Sequence, residues 1–171
     1  LSNNNTIFYN VHQVIYFSVH FYIFYKYLIR KRLKLAVVLF YSVWSLSFVY
    51  QLFIKNLVLE YALFSTVLGD FLTMISVLFV FIEVINASTI SKLQDNMIIY
   101  LGLGLLVYLV ISIPTSVTSF VGWEKIGKDT GPRMEFYQIL RNVGTFAGAL
   151  MYFIFAYGFY RAKAPSMSLT Q

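Results

Sequence analysis

Cysteine is absent from the 171 residues. Disulfides, thiolate metal sites, iron–sulfur clusters, covalent haem attachment and a cysteine nucleophile are thereby excluded. Charge is scarce too: Asp, Glu, Lys and Arg make up 12% of the chain, about half of what soluble domains carry. So small a fraction leaves too little polar surface to cover a soluble globule. Acids are the scarcest charged type, seven against thirteen Lys and Arg, and few groups remain for general acid–base chemistry. No Walker phosphate loop, HExxH, GxSxG or dinucleotide fingerprint occurs. The chain is therefore read as non-enzymatic and as needing no cofactor.

What the chain does have is apolar sequence in long, non-alternating runs, 59% of all residues. The runs do not show the ~10-residue alternating segments of a membrane barrel. They fit the ~20 residues with which a helix crosses a bilayer's hydrocarbon core. The expected fold is all-α, a polytopic transmembrane helix bundle forming one domain. Its five spans are placed at about residues 6–29, 35–54, 57–86, 97–120 and 132–161. Asn3–Asn5 with Thr6 is the expected cap of the first helix, and Pro132 suits the first turn of the last. Polar loops are expected at Ser88–Asn96 and at Gly122–Gly131, the second beside Trp123 at the membrane interface.

The net charge of +6 gathers at the ends of apolar runs, a pattern of cytoplasmic flanks and anionic headgroups rather than of nucleic-acid binding. Arg30, Lys31, Arg32 and Lys34 form the densest cluster, with no acid in it. With the N-terminus outside, eight Lys and Arg fall on the inner face and five on the outer. The expected topology is N-terminus out and C-terminus cytoplasmic. The chain opens on Leu1 and not on Met, and upstream residues are expected.

The longest run, Leu57–Asn86, holds one acid near its middle, Asp70, after Gly69. A carboxyl group at that depth costs ~2.5–3.5 kcal/mol on insertion scales. At 1.5 Å per residue, Asp70 lies about as deep as His20 of the parallel first helix. The pair Asp70 and His20 is thus a candidate intramembrane polar site, for a proton, a cation or a ligand. The competing reading is an Asp hydrogen-bonded to Ser, Thr or Tyr of a neighbouring helix for packing alone. His12 and His20, eight residues apart, lie ~80° apart around a helix and make neither a metal pair nor a haem pair. Glu60 and Arg141 fall at one level near the outer surface, where they either pair or reach water separately. Glu83, near the inner surface, has Lys92 or the basic loop within reach. Gly144 and Gly148 form a small-xxx-small motif, and Gly102 and Gly104 a second small-residue face, for close helix packing or a dimer contact.

Three segments carry a resemblance: Phe8-Tyr9-Asn10 opening an aromatic helix that ends in Lys34, N-x-x-I-Y-x-G-x-G-L-L-V-Y over Asn96–Tyr108, and a last helix with Asn142. In these the chain resembles the C-terminal five helices of small multi-spanning inner-membrane proteins of Bacteroidota-type bacteria. The resemblance implies a bacterial inner membrane and two further helices before Leu1, and it carries over no site residue. Three functions stay open. One is a non-catalytic subunit acting through contacts with the bilayer, other membrane subunits or itself. Another is a sensor or ligand-binding bundle at Asp70 and His20. The last is an ion or proton pathway.

Overall fold

The computed structural model describes residues 6–56, 60–86, 97–120 and 132–161. The Asn3–Asn5 cap, residues 57–59, both polar loops with Lys92 and Trp123, and the tail lie outside the described residues. Five helices follow one another: α1 (Thr6–Tyr27), α2 (Lys31–Ile54), α3 (Leu63–Asn86), α4 (Met97–Phe120) and α5 (Pro132–Arg161). No strand occurs among the described residues. The four helices α2 to α5 are long and apolar enough to cross a membrane. At 22 residues, α1 matches them in length, but Asn10, His12, Gln13 and His20 lower its hydropathy. Asn10 and Gln13 are buried inside the bundle, so these two amides are turned away from the surroundings, while His12 is exposed.

Three boundaries differ from those expected, the smallest at the end of α1, which stops at Tyr27. Helix α2 begins at Lys31, so Lys31, Arg32 and Lys34 lie in its first turn and the connection from α1 shrinks to Leu28–Arg30. Helix α3 begins at Leu63, after a short non-helical stretch, Glu60–Ala62. In both places a side chain from another helix has taken over the backbone groups. Asn10 of α1 donates its Nδ2 to the Glu60 carbonyl at 3.0 Å and accepts the Ala62 N–H on Oδ1 at 3.0 Å. At the other end, Glu83 of α3 accepts the Ile29 N–H at 2.9 Å and the Arg30 N–H at 2.8 Å, one on each carboxyl oxygen. Backbone groups have no water partner in an apolar medium, so such bonds decide where a chain can turn. Glu83 thus meets the basic loop through its backbone, and among the described residues it forms no ion pair with the loop's cations.

Helices α1, α2 and α3 pack on one another, α4 packs on α3, and α5 lies along α4. The core threads through all five: Phe17, Phe21 and Phe24 of α1, Trp44 of α2, Val77 and Val80 of α3, Leu105 and Leu109 of α4, and Met151 of α5. Polar bonds tie α2 to α3 near the Asn10 end. Ser65, fully buried, accepts a bond from Gln51 Nε2 and lies 3.2 Å from the Ser47 hydroxyl. Pro114 sits inside α4, which continues to Phe120, and the Thr115 hydroxyl donates to the Ile111 carbonyl at 2.9 Å.

At Gly69 the Phe17 side chain of α1 packs directly on the α3 backbone. A Cβ there would lie 2.5–2.7 Å from three atoms of the Phe17 ring. That ring cannot retreat, because Trp44 and Tyr16 each pack on it with centroids 5.1 Å away. Gly69→Ala is therefore expected to destabilise the bundle by about 1–3 kcal/mol through overpacking, despite alanine's better helix propensity. Gly148→Ala, where the nearest side-chain atom is 3.8 Å away, is the matched control and should be near neutral. Denaturant titration of both variants in one detergent checks this, with Gly69→Ala/Phe17→Leu expected to recover part of the loss.

Candidate functional site

Asp70 follows Gly69 by one residue, ~100° further around the helix. Since Gly69 faces α1, Asp70 faces α4, where its Oδ2 accepts the Ser112 hydroxyl at 3.2 Å. The carboxyl group is 3% exposed. His20 takes another partner. Its Nδ1 donates to the Tyr16 carbonyl of its own helix at 2.7 Å, and its ring lies 4.2 Å from the Tyr16 ring. The structure does not bring Asp70 and His20 together. The non-helical Glu60–Ala62 stretch sets this register: Asn10 bonds to the backbone of both Glu60 and Ala62, so these residues add no helical descent, and Gly69, next to Asp70, meets Phe17, three residues above His20. Tyr16, beside Phe17, is the residue of α1 within electrostatic reach of Asp70.

Ser112 has a second environment. It forms part of the floor of a groove of about 460 Å³ that α4 makes between α1 on one side and α5 on the other. Helix α1 contributes His12 and Tyr16, and α4 contributes Tyr108 and Thr115 beside Ser112. From α5 come Arg141, Thr145 and Tyr152, with Gly144 and Gly148 between them. The groove exists because these two glycines leave space. A Cβ on Gly144 would come no nearer than 3.9 Å to Thr115, and one on Gly148 no nearer than 3.8 Å to Tyr108. Close contact of α4 and α5 occurs lower down. There a Cβ on Gly104 would meet Phe155 at 2.7 Å, and one on Gly158 would meet Tyr100 at 2.5 Å. Gly102 packs on α3, where a Cβ would come 3.2 Å from the Phe81 ring. The small residues of α4 and α5 therefore divide into a tight lower contact and an open upper groove.

The chemistry of the groove is polar on an apolar body. Thr115 and Thr145 spend their hydroxyls on carbonyls one turn back. The Tyr16 hydroxyl is buried and has no hydrogen-bond partner among the described residues. Arg141 is exposed and forms no ion pair among the described residues, where the one salt bridge joins Lys55 to Glu60 at 3.5 Å. Glu60 and Arg141 are thus not paired. The groove has Arg141 on its α5 wall, Tyr16 on its α1 wall, and a carboxyl group behind Ser112. No group of three or more His, Asp or Glu that could hold a metal occurs among the described residues.

Comparison with known proteins finds no matching family model, curated protein or solved structure. The site therefore rests on its geometry. Sequence reasoning singled out Asp70 and passed over Tyr16, Ser112, Thr145 and Tyr152. Their signal was present as helical spacing. Tyr108, Ser112 and Thr115 recur at i, i+4 and i+7 on α4, and Arg141, Thr145, Gly148 and Tyr152 at i, i+4, i+7 and i+11 on α5. Each is a polar or small stripe along an apolar helix, and the two stripes face each other.

Proposed function

We propose that this chain is a non-catalytic protein of a bacterial inner membrane, all five helices spanning, that binds a small amphipathic molecule in the groove between α1, α4 and α5. The observation that carries this reading is a groove of about 460 Å³ that brings Tyr16, Ser112 and Arg141 of three helices together, with the buried Asp70 carboxyl group behind Ser112, a size ordinary for small-molecule sites. Arg141 at the wall favours a ligand with an anionic or strongly accepting head. Tyr16 and Ser112 supply orienting hydrogen bonds, and Met151 and Tyr152 offer apolar surface. Occupancy of the groove is communicated by helix contacts, since a ligand bridging α1 and α5 joins two helices that otherwise meet through α3 and α4. An ion pathway is disfavoured. The polar stripes stop at Tyr108 and Tyr152, and below them Phe155 and Tyr100 fill the interface.

A second reading shares the groove and gives it to a helix of a partner subunit or of another copy. It is favoured by the exposed aromatics of α5, Phe146, Phe153 and Tyr160, which continue past the groove. Gly148→Leu separates the two. It fills the groove from a position with room for the first carbon and should leave the fold intact. Native mass spectrometry of the protein purified in mild detergent is expected to show a retained small molecule on the wild type. The molecule should be absent from Gly148→Leu and reduced in Tyr16→Phe. Loss of a protein partner from Gly148→Leu, with no small molecule on either form, would support the second reading instead.

The proposed orientation places the groove in the outer half, with Arg30, Lys31, Arg32 and Lys34 at the cytoplasmic face. A phosphatase or fluorescent reporter fused after Gln171 is expected to report a cytoplasmic C-terminus. A reporter active outside would reverse the orientation.

A further inference from the structure

A second groove lies at the opposite end of the bundle, between α1 and α2. It encloses about 390 Å³ and is lined by Phe21, Tyr22, Tyr25, Val37, Val38 and Tyr41. At its upper end the Ser18 and Tyr41 hydroxyls meet at 3.2 Å. Its lower end runs into the basic connection between the two helices. There Lys26 Nζ stands 5.6 Å from the centre of the Tyr22 ring and Lys34 Nζ 5.3 Å from that of Tyr25. Two ammonium groups therefore flank the mouth of a slot whose walls are aromatic and aliphatic. Arg30, Lys31 and Arg32 lie between them in sequence and are exposed.

Among the described residues no acid side chain forms an ion pair with this cluster. Glu83 is the acid that reaches the connection, and both of its carboxyl oxygens are occupied by the Ile29 and Arg30 backbone. Among the described residues none of the five cations forms a salt bridge. With five cations and one acid at the connection, the mouth keeps a net positive charge, and on an apolar slot it is complementary to one kind of molecule that the surroundings supply: a phosphate with an acyl chain attached.

We propose that this groove is a binding site for one anionic phospholipid. The phosphate sits between Lys26 and Lys34, and an acyl chain lies along Tyr22, Val38 and Tyr41. The lysines are held over the tyrosine rings by cation–π attraction, so the charges are placed at the slot before the lipid arrives. The site is separate from the groove at Asp70 and does not depend on what fills it.

Native mass spectrometry of the full chain, exchanged into equal amounts of phosphatidylglycerol and phosphatidylcholine, tests the site. The wild type is expected to retain phosphatidylglycerol over phosphatidylcholine by roughly tenfold or more, from two basic groups at the headgroup level. Lys26→Gln/Lys34→Gln should bring that ratio close to one while its melting temperature in phosphatidylcholine stays unchanged. Val38→Trp, which leaves every charge in place and obstructs the slot, should lower retention of phosphatidylglycerol as well. Water-soluble glycerophosphoglycerol, the headgroup without chains, should fail to compete. Equal retention of the two lipids by the wild type would overturn the proposal. So would full selectivity in Val38→Trp or effective competition by the headgroup, since either would mean that the charge cluster acts without the slot.

Discussion

The structure depends on a constraint of the medium: a backbone that turns among apolar helices has to find its hydrogen bonds within the protein. Among the described residues, side chains that join α1 to α3 meet that demand at both ends. Asn10 of α1 holds the backbone at Glu60 and Ala62 just before α3. Glu83 of α3 holds the backbone at Ile29 and Arg30 just after α1. Each helix caps the turn that adjoins the other. The two helices run the same way and are fixed at both ends, and α2 is carried between them by its own connections. A net 1.5–3 kcal/mol is typical for hydrogen bonds to charged groups and about 1 for neutral ones. Each clamp is thus worth a sizeable share of a marginal total.

The register set by these clamps passes down the bundle. It places Gly69 under the Phe17 ring, and that contact leaves Asp70 facing α4. Through Ser112 the buried carboxyl group becomes part of the wall where α4 and α5 open. Below, Gly104 and Gly158 let α4 and α5 close on Phe155 and Tyr100. Above, Gly144 and Gly148 meet nothing so near. The groove is the consequence of one helix pair in tight contact at one end and held apart by Tyr108 and Thr115 at the other.

The five helices were legible because apolar runs of membrane length, bounded by polar clusters, leave little else to form. The end of α4 and the start of α5 agree with the expected boundaries for that reason. The starts of α2 and α3 do not, because they are decided by side chains some fifty residues away in sequence: Glu83 acting on Arg30, and Asn10 acting on Ala62. No local pattern carries that information. Asp70 stood out as costly, but a partner at equal depth was inferred from residue counts that assumed an unbroken helix through Glu60–Ala62. Three non-helical residues shift that count and replace His20 with Tyr16 as the neighbour on α1. The stripes on α4 and α5 were present in the sequence, but a stripe shows only that a helix has a distinct face. Which two faces meet is a property of the assembled bundle.

The amides of Ile29, Arg30 and Ala62 report on the clamps directly, since each N–H donates to a side chain from the other helix of the pair. Their hydrogen exchange, followed by NMR of the protein in lipid nanodiscs, is expected to be slow in the wild type. Glu83→Ala should accelerate Ile29 and Arg30 by roughly tenfold or more, the equivalent of a lost bond of about 1.4 kcal/mol, and leave Ala62 slow. Asn10→Ala should do the reverse. Rapid exchange at all three amides in the wild type, or exchange that neither substitution changes, would contradict the clamped α1–α3 pair.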